Sequence, residues 1–428
     1  MKKCVVIGGG LAGLSSAVFL ADSGINVEVI EASPKLGGRT YSFLDKSTSD
    51  VIDNGQHILM GCYKDTLDFI RLIKAENNFS FQKHLKVNFL RENSELYQLK
   101  ANNLIYPLNF LSALLSYKAV SLSNRIKLLQ FFAKLFFYPD NSLNKITVYQ
   151  WLKQENQTDE LIKSFWEILC VGALNTNINN ASAKVFSDIL KRIFFSGSKA
   201  AAIILPRFGL SESFCNNSKN FIKERRGSIS LLESVDEIVV KTERIVSIKT
   251  NKREISGFDY VVSAVPYFVL KNILGKNKAI LKKIDFNYST IVSIHIWLKE
   301  NKLTEDLDFY GLIDSPVHRI FNHKSHLSLV ISDANDFADT PKEELFDIAA
   351  LQLEKYLNIS KENLVSYKII KEKRATFIPS NDILNKRPEP NTVLKNFFLA
   401  GDWVNTGLPS TIESAVKSGR MISELINS

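Results

Sequence analysis

Residues 5–13 read Val5-Val6-Ile7-Gly8-Gly9-Gly10-Leu11-Ala12-Gly13, and their surroundings decide the fold. The run from Cys4 to Ile7 is short, apolar and stopped by glycine, which predicts a buried strand. Leu11 to Ser23 places apolar residues at helical spacing among Ala and Ser, and Gly24 closes that helix. Asn26 to Ile30 is strand-like again and ends at Glu31. Strand, helix and strand in this order form the βαβ unit of a parallel sheet. Inside it the GxGxxG spacing gives each glycine a task. Gly8 permits the tight turn, and Gly10 lets backbone NH groups at the start of the helix, Leu11 and Ala12, approach a pyrophosphate. Gly13 lets the helix pack on the sheet. Glu31 can accept hydrogen bonds from ribose hydroxyls, and its charge disfavours an added 2′-phosphate.

Two further stretches extend this reading. Leu36-Gly37-Gly38-Arg39-Thr40 sets a planar cation beside paired glycines just after the ribose acid. That position suits the second half of a longer cofactor, FAD rather than NAD, although the pentapeptide alone could be a plain loop. Near the other terminus, Leu399-Ala400-Gly401-Asp402-Trp403 reads as a strand ending in Gly-Asp, followed by Gly407-Leu408-Pro409-Ser410-Thr411-Ile412-Glu413. Ser410 or Thr411 caps a helix there. Its positive end at Thr411 and Ile412 would stabilise negative charge on a reduced flavin. The expected fold class is α/β: a two-dinucleotide-binding-domain flavoprotein with a discontinuous Rossmann-like FAD domain (1–75, 205–268 and 390–428) and an α+β substrate domain (76–204 and 269–389).

Size and composition agree with two domains, since 428 residues exceed the length at which one core stops growing. The 28 Phe supply either ordinary core or apolar walls for a greasy ligand. The net charge of +9 favours an anionic partner, but the basic residues are scattered and Lys2-Lys3, Arg225-Arg226 and Lys282-Lys283 are isolated doublets, so no nucleic-acid partner is expected. Four cysteines without a CxxC pair, and without His at ligand spacing, predict no metal site and reduced thiols in a cytoplasmic protein. Met1-Lys2-Lys3 and the apolar run after it imitate a signal peptide, but Gly8 to Gly10 interrupt the run, which the motif needs as a strand. No stretch offers ~18 uncharged apolar residues for a membrane span. Leu104 to Tyr138 is dense in Leu and Phe yet carries Lys118, Arg125, Lys127 and Lys134, predicting two amphipathic helices that serve either as core or as a peripheral membrane contact. Ser228 to Pro266 returns to strands.

The three glycine-rich elements together resemble the amine oxidase and phytoene desaturase superfamily of FAD enzymes. Within it, Asp53-Asn54-Gly55-Gln56-His57-Ile58-Leu59-Met60-Gly61-Cys62-Tyr63, Ala173-Leu174-Asn175-Thr176, Leu205-Pro206-Arg207-Phe208-Gly209-Leu210-Ser211-Glu212, Arg374-Ala375-Thr376-Phe377 and the tail after Gly401-Asp402-Trp403 resemble the hydroxysqualene dehydroxylases. The similarity runs nearly end to end, with local departures such as the Asn-rich 175–180. It implies FAD, reduction of hydroxysqualene to squalene on a route to hopanoids or sterols, an electron-supplying reductase, a long apolar cavity and a proton donor. By the same resemblance, residues 53–63 run beside the isoalloxazine ring, which puts His57 forward as donor. Tyr63, water, or a purely structural His57 remain open. Gly55, Gln56 and His57 would shape the flavin face, and Val235 would contact adenine through its backbone. Two other functions compete: a carotenoid-type desaturase, and a non-catalytic prenyl-binding relative. The intact Gly8, Gly10, Gly13, Glu31, Gly38 and Arg39 speak against the latter.

Overall fold

The computed structural model describes the chain except residues 139, 282, 302 and 304–308. Lys3–Ile7 is the central strand of a five-stranded sheet ordered Ser228–Ser230, Asn26–Ile30, Lys3–Ile7, Tyr260–Ser263, Phe397–Leu399, every pair parallel. A parallel sheet covered on both faces needs strands that are apolar on both sides. Cys4 to Ile7 are accordingly all buried. One face carries the helices Leu11–Asp22 and Ile412–Asn427. These lie against each other at Gly419, where a Cβ would fall 2.3 Å from Ser15 Oγ and 2.6 Å from Ser16 N. The other face packs against the antiparallel strands Val235–Lys241, Arg244–Thr250 and Glu254–Ile255 and the helix Tyr267–Leu274. The strands and helices expected at both chain ends are therefore present, with both ends in one sheet.

A second layer is a seven-stranded sheet ordered Leu364–Phe377, Tyr288–Leu298, His326–Ile331, Arg319–Asn322, Phe309–Leu312, Lys86–Arg91, Glu95–Lys100. Alternation along its strands separates two faces. Tyr310, Leu312, Ile320 and Leu329 lie beneath the helix Lys342–Leu357. Phe89, Phe309, Phe321 and Val330 turn toward the helices Leu108–Ser116, Leu122–Phe137 and Ala183–Phe195. The aromatic excess concentrates there: Phe110 stacks on Phe194 with centroids 4.4 Å apart, and Phe131 meets Trp166 at 4.4 Å. A small sheet of Leu59–Met60, Ile203–Pro206 and Phe79–Phe81 joins the layers.

Candidate active site

The first turn is built backbone on backbone. Gly8 adopts φ +104°, and its NH donates to the Ile30 carbonyl at 2.8 Å. At Gly13 a Cβ would sit 1.9 Å from the Gly8 carbonyl oxygen, so no larger residue fits. The loop holding Gly37 and Gly38 lies across this turn: Gly37 NH donates to the Gly9 carbonyl at 2.9 Å, and a Cβ on Gly38 would lie 3.1 Å from Gly10 Cα. Glu31 takes a part the sequence did not suggest. Its carboxylate accepts the NH of Gly9 at 2.5 Å and that of Ser33 at 2.7 Å, locking the glycine turn to the end of the second strand. Val235 lies two residues beyond Glu233, whose NH donates to the Glu31 carbonyl at 2.9 Å. The helix starting at Leu11 has glycine as its cap and no side chain on its first NH groups, which suits an anion.

An ion pair at the cradle joins the two termini, as do the pairs of Arg420 with Asp65 and Asp68 further along the last helix. Arg39 donates to Asp402 Oδ1 at 2.7 Å and to the Ala375 carbonyl at 2.6 Å. Ser410 donates to the other carboxylate oxygen of Asp402. Burial pushes the Asp402 carboxyl up, but Arg39 and Ser410 outweigh it and hold the group below its ordinary range. Gly401 NH donates to Ser418 Oγ at 2.9 Å, and Thr411 caps the last helix by accepting from Ser414 NH at 3.1 Å. Two contributors went unnoticed in the sequence. Buried Arg387 donates to the carbonyls of Val404 at 3.2 Å and Leu408 at 2.7 Å, shaping the turn before that helix. Glu413 accepts the NH groups of Asp65 at 3.0 Å and Thr66 at 2.9 Å and so caps the helix Lys64–Leu72. Burial raises its carboxyl despite those bonds. These glycine turns, with an uncapped helix start at one terminus and a second helix start at the other, form a cradle that fits a long pyrophosphate-linked cofactor.

Beside this cradle opens a cavity that is partly open to solvent. Its walls are mostly apolar, among them Ile58, Val87, Phe89, Ile168 and Phe309, and Leu408, Pro409 and Thr411 of the C-terminal turn also line it. The polar exceptions are Cys62, Tyr63, Arg192, Arg319 and Glu413. Burial raises the Tyr63 phenol and pushes the Cys62 thiol up to about 11. His57 does not line the cavity; its neighbour Ile58 does. Burial first, then the Arg39 cation, lowers the His57 imidazole to about 4, leaving it neutral at pH 7. Gln56 donates to Ser328 Oγ at 3.4 Å, and a Cβ on Gly55 would lie 3.8 Å from Ser293 Oγ, so this segment rests on the seven-stranded sheet.

The sequence profile of the flavin containing amine oxidoreductases matches residues 11–427. Hydroxysqualene dehydroxylases of Zymomonas mobilis and Rhodopseudomonas palustris are 27% and 28% identical to the chain, over 99% and 100% of it and 99% of each relative. The 15-cis-phytoene desaturase of Synechococcus elongatus is 24% identical over 99% of the chain and 95% of its own length. Among solved structures, an oxidoreductase from Methanosarcina mazei superposes with a TM-score of 0.73 at 16% identity, covering 99% of this chain and all (100%) of the other. Putrescine oxidase bound to putrescine gives 0.72 at 12%, covering 100% of this chain and 99% of the other.

Proposed function

Since the chain belongs to the flavin containing amine oxidoreductase family, and is an FAD-dependent oxidoreductase, we propose that it removes the hydroxyl group of hydroxysqualene reductively to give squalene, a precursor of hopanoids and sterols. The observation that carries this reading is the mostly apolar cavity that reaches Leu408, Pro409 and Thr411 of the cofactor element. A C30 hydrocarbon chain needs such walls, with few polar anchors. We assign residues 1–75, 205–268 and 390–428 to the cofactor and 76–204 and 269–389 to the substrate. Gly8, Gly10, Leu11, Ala12 and Gly13 would hold the pyrophosphate, Glu31 the ribose, and Val235 the adenine. Gly38, Arg39, Gly401, Asp402, Thr411 and Ile412 would hold the ribityl and flavin end.

Bound FAD supplies two-electron chemistry, delivering a hydride when reduced. The chain's own task is to hold the allylic C–O bond in a dry cavity and to protonate the departing oxygen. His57, neutral at pH 7 and outside the cavity wall, has little acid to offer there. We therefore assign it with Gly55 and Gln56 to the flavin face, and place the donor among the cavity's polar groups. The helices Leu108–Ser116 and Leu122–Phe137 expose Leu108, Leu122, Ile126, Phe136 and Phe137 beside exposed Lys118 and Lys134, which supports a peripheral membrane contact for a cytoplasmic protein. Among the described residues no helix is long and apolar enough to cross a membrane. A separate reductase would recharge the flavin.

The test is anaerobic. Prereduced protein mixed with hydroxysqualene is expected to release squalene while its flavin is oxidised mole for mole. A flavin that stays reduced, or an oxidised protein that introduces double bonds into phytoene instead, rejects the reading.

A further inference from the structure

Of the two arginines that line the cavity, Arg192 is exposed and Arg319 is set into the sheet. It opens the short strand Arg319–Asn322, and its partners across the sheet place it. Ser293 pairs with Val330, Val330 with Arg319, Arg319 with Gly311, and Gly311 with Phe89. Residues paired in register share a face, so this row runs across the side of the sheet that bounds the cavity. Strands lie about 4.8 Å apart, which puts Arg319 roughly 10 Å along the row from Ser293, the residue against which Gly55 of the flavin-face segment rests. Glycine flanks the guanidinium from two directions. A Cβ on Gly172 would lie 3.7 Å from Arg319 Nη2, and Gly311 is its neighbour in the sheet. Both line the cavity; the Phe89 ring covers Gly311, 2.8 Å from where a Cβ would stand, while Gly172 has no side chain to fill the space beside the cation.

The guanidinium itself is poorly satisfied. Its one side-chain hydrogen bond among the described residues runs from Nη2 to Ser332 Oγ at 3.3 Å, and no carboxylate pairs with it there. Burial brings it down to about 10. A cation desolvated without a counter-ion costs stability, and such costs persist where a ligand uses the charge. Most of the remaining wall is hydrocarbon, with Cys62, Tyr63, Arg192, Thr411 and Glu413 as the other polar groups, so the ligand that meets Arg319 is a mostly apolar molecule with few oxygens.

We propose that Arg319 holds the substrate's hydroxyl oxygen and protonates it as the C–O bond breaks, a role that rests on the dehydroxylase reading above. The bonding pair would leave with oxygen and a guanidinium proton would complete water, while the reduced cofactor would supply the hydride of the new C–H bond. Solvent then returns the proton to Arg319. Burial, which brings the guanidinium down to about 10, makes such a donation less costly than for an ordinary arginine.

The test compares two ligands on the oxidised holoenzyme, where no turnover occurs. Hydroxysqualene and squalene are titrated against wild type, Arg319→Met and Arg319→Gln, with binding read from perturbation of the flavin spectrum. Wild type is expected to prefer the alcohol by about tenfold or more, the value of a hydrogen bond to a charged group. Arg319→Met is expected to bind both alike and to melt no lower than wild type, since it removes an uncompensated charge. Arg319→Gln should keep part of the preference while flavin reoxidation by the alcohol slows by about 100-fold or more, the scale of a lost general acid. An unchanged preference in Arg319→Met and Arg319→Gln, or normal reoxidation in Arg319→Gln, overturns the assignment of Arg319 alone. A wild type that binds neither C30 ligand overturns the dehydroxylase reading with it.

Discussion

If the cofactor site is assembled by the two ends of the chain, then Arg39 and Asp402 should be energetically coupled although 363 residues separate them. The perturbation is a double-mutant cycle: Arg39→Met, Asp402→Asn and both together. Their contact is a charge-assisted hydrogen bond of 2.7 Å, a class worth about 1.5–3 kcal/mol when dry. The Arg39 side chain is 42% exposed while that of Asp402 is 9% exposed, so solvent screening brings the expected coupling in the apoprotein down to about 1 kcal/mol. Asp402→Asn also weakens the bond from Ser410, which the cycle cancels because that loss is present in both arms.

Urea unfolding of the four apoproteins gives the coupling directly, and titration with FAD gives it again for cofactor affinity. Each single variant is expected to lose about tenfold in FAD affinity, equivalent to about 1.4 kcal/mol, and the double variant less than the product of the two. The pair also carries a pH signature. Asp402 is depressed in the folded state, so its contribution is present above the ordinary carboxyl value of 3.8 and fades as pH falls through the lower folded value. Strict additivity in both assays would mean that the two termini do not cooperate, and the account of the site would fail.

Other consequences are more local. Gly13→Ala places a methyl 1.9 Å from the Gly8 carbonyl oxygen, a backbone atom that cannot swing away, so the variant is expected to lose about 1–3 kcal/mol and to purify without yellow colour; full flavin content would contradict this. Five of the six histidines, His57, His295, His318, His323 and His326, are held by burial at about 3 to about 4, below the ordinary 6.5. Each adds stability that is complete above pH 6.5 and falls by up to about 1.4 kcal/mol per pH unit toward the folded value, so melting temperature should drop steeply between pH 6.5 and 5 and stay level from 7 to 8. Ile168→Trp narrows the cavity, and KM for a C30 substrate is expected to rise about tenfold while chemical reduction of the flavin proceeds as before. Replacing exposed Phe136 and Phe137 together by Ser should weaken binding to anionic lipid vesicles in a sedimentation assay without lowering the melting temperature.

What could be read from the chain follows from how locally each feature is encoded. Cys4 to Ile7, the helix from Leu11 and the strand Asn26–Ile30 are announced by short apolar runs bounded by glycine, and a purely local code was sufficient there. The Leu104 to Tyr138 stretch gave its two helices by periodicity but not their setting, because an amphipathic face looks the same whether it meets Phe194 or a lipid. The seven-stranded sheet was beyond reach. It draws strands from 86–100 and 288–377, and neither alternation nor turn chemistry says that Phe309–Leu312 pairs in parallel with Lys86–Arg91. The same distance hid Glu413, whose role depends on NH groups at Asp65 and Thr66. His57 was visible as a titratable residue in a glycine turn, yet a residue type carries no record of its desolvation. Arg319 shows the converse. Arginine opening Arg319-Ile320-Phe321-Asn322 reads as a surface position at a strand edge, and only the register that sets it on a row with Val330 and Gly311 turns it inward. The site is therefore legible where backbone must approach backbone closely, because that demands glycine, and illegible at Arg319, whose setting depends on strands far apart in the sequence.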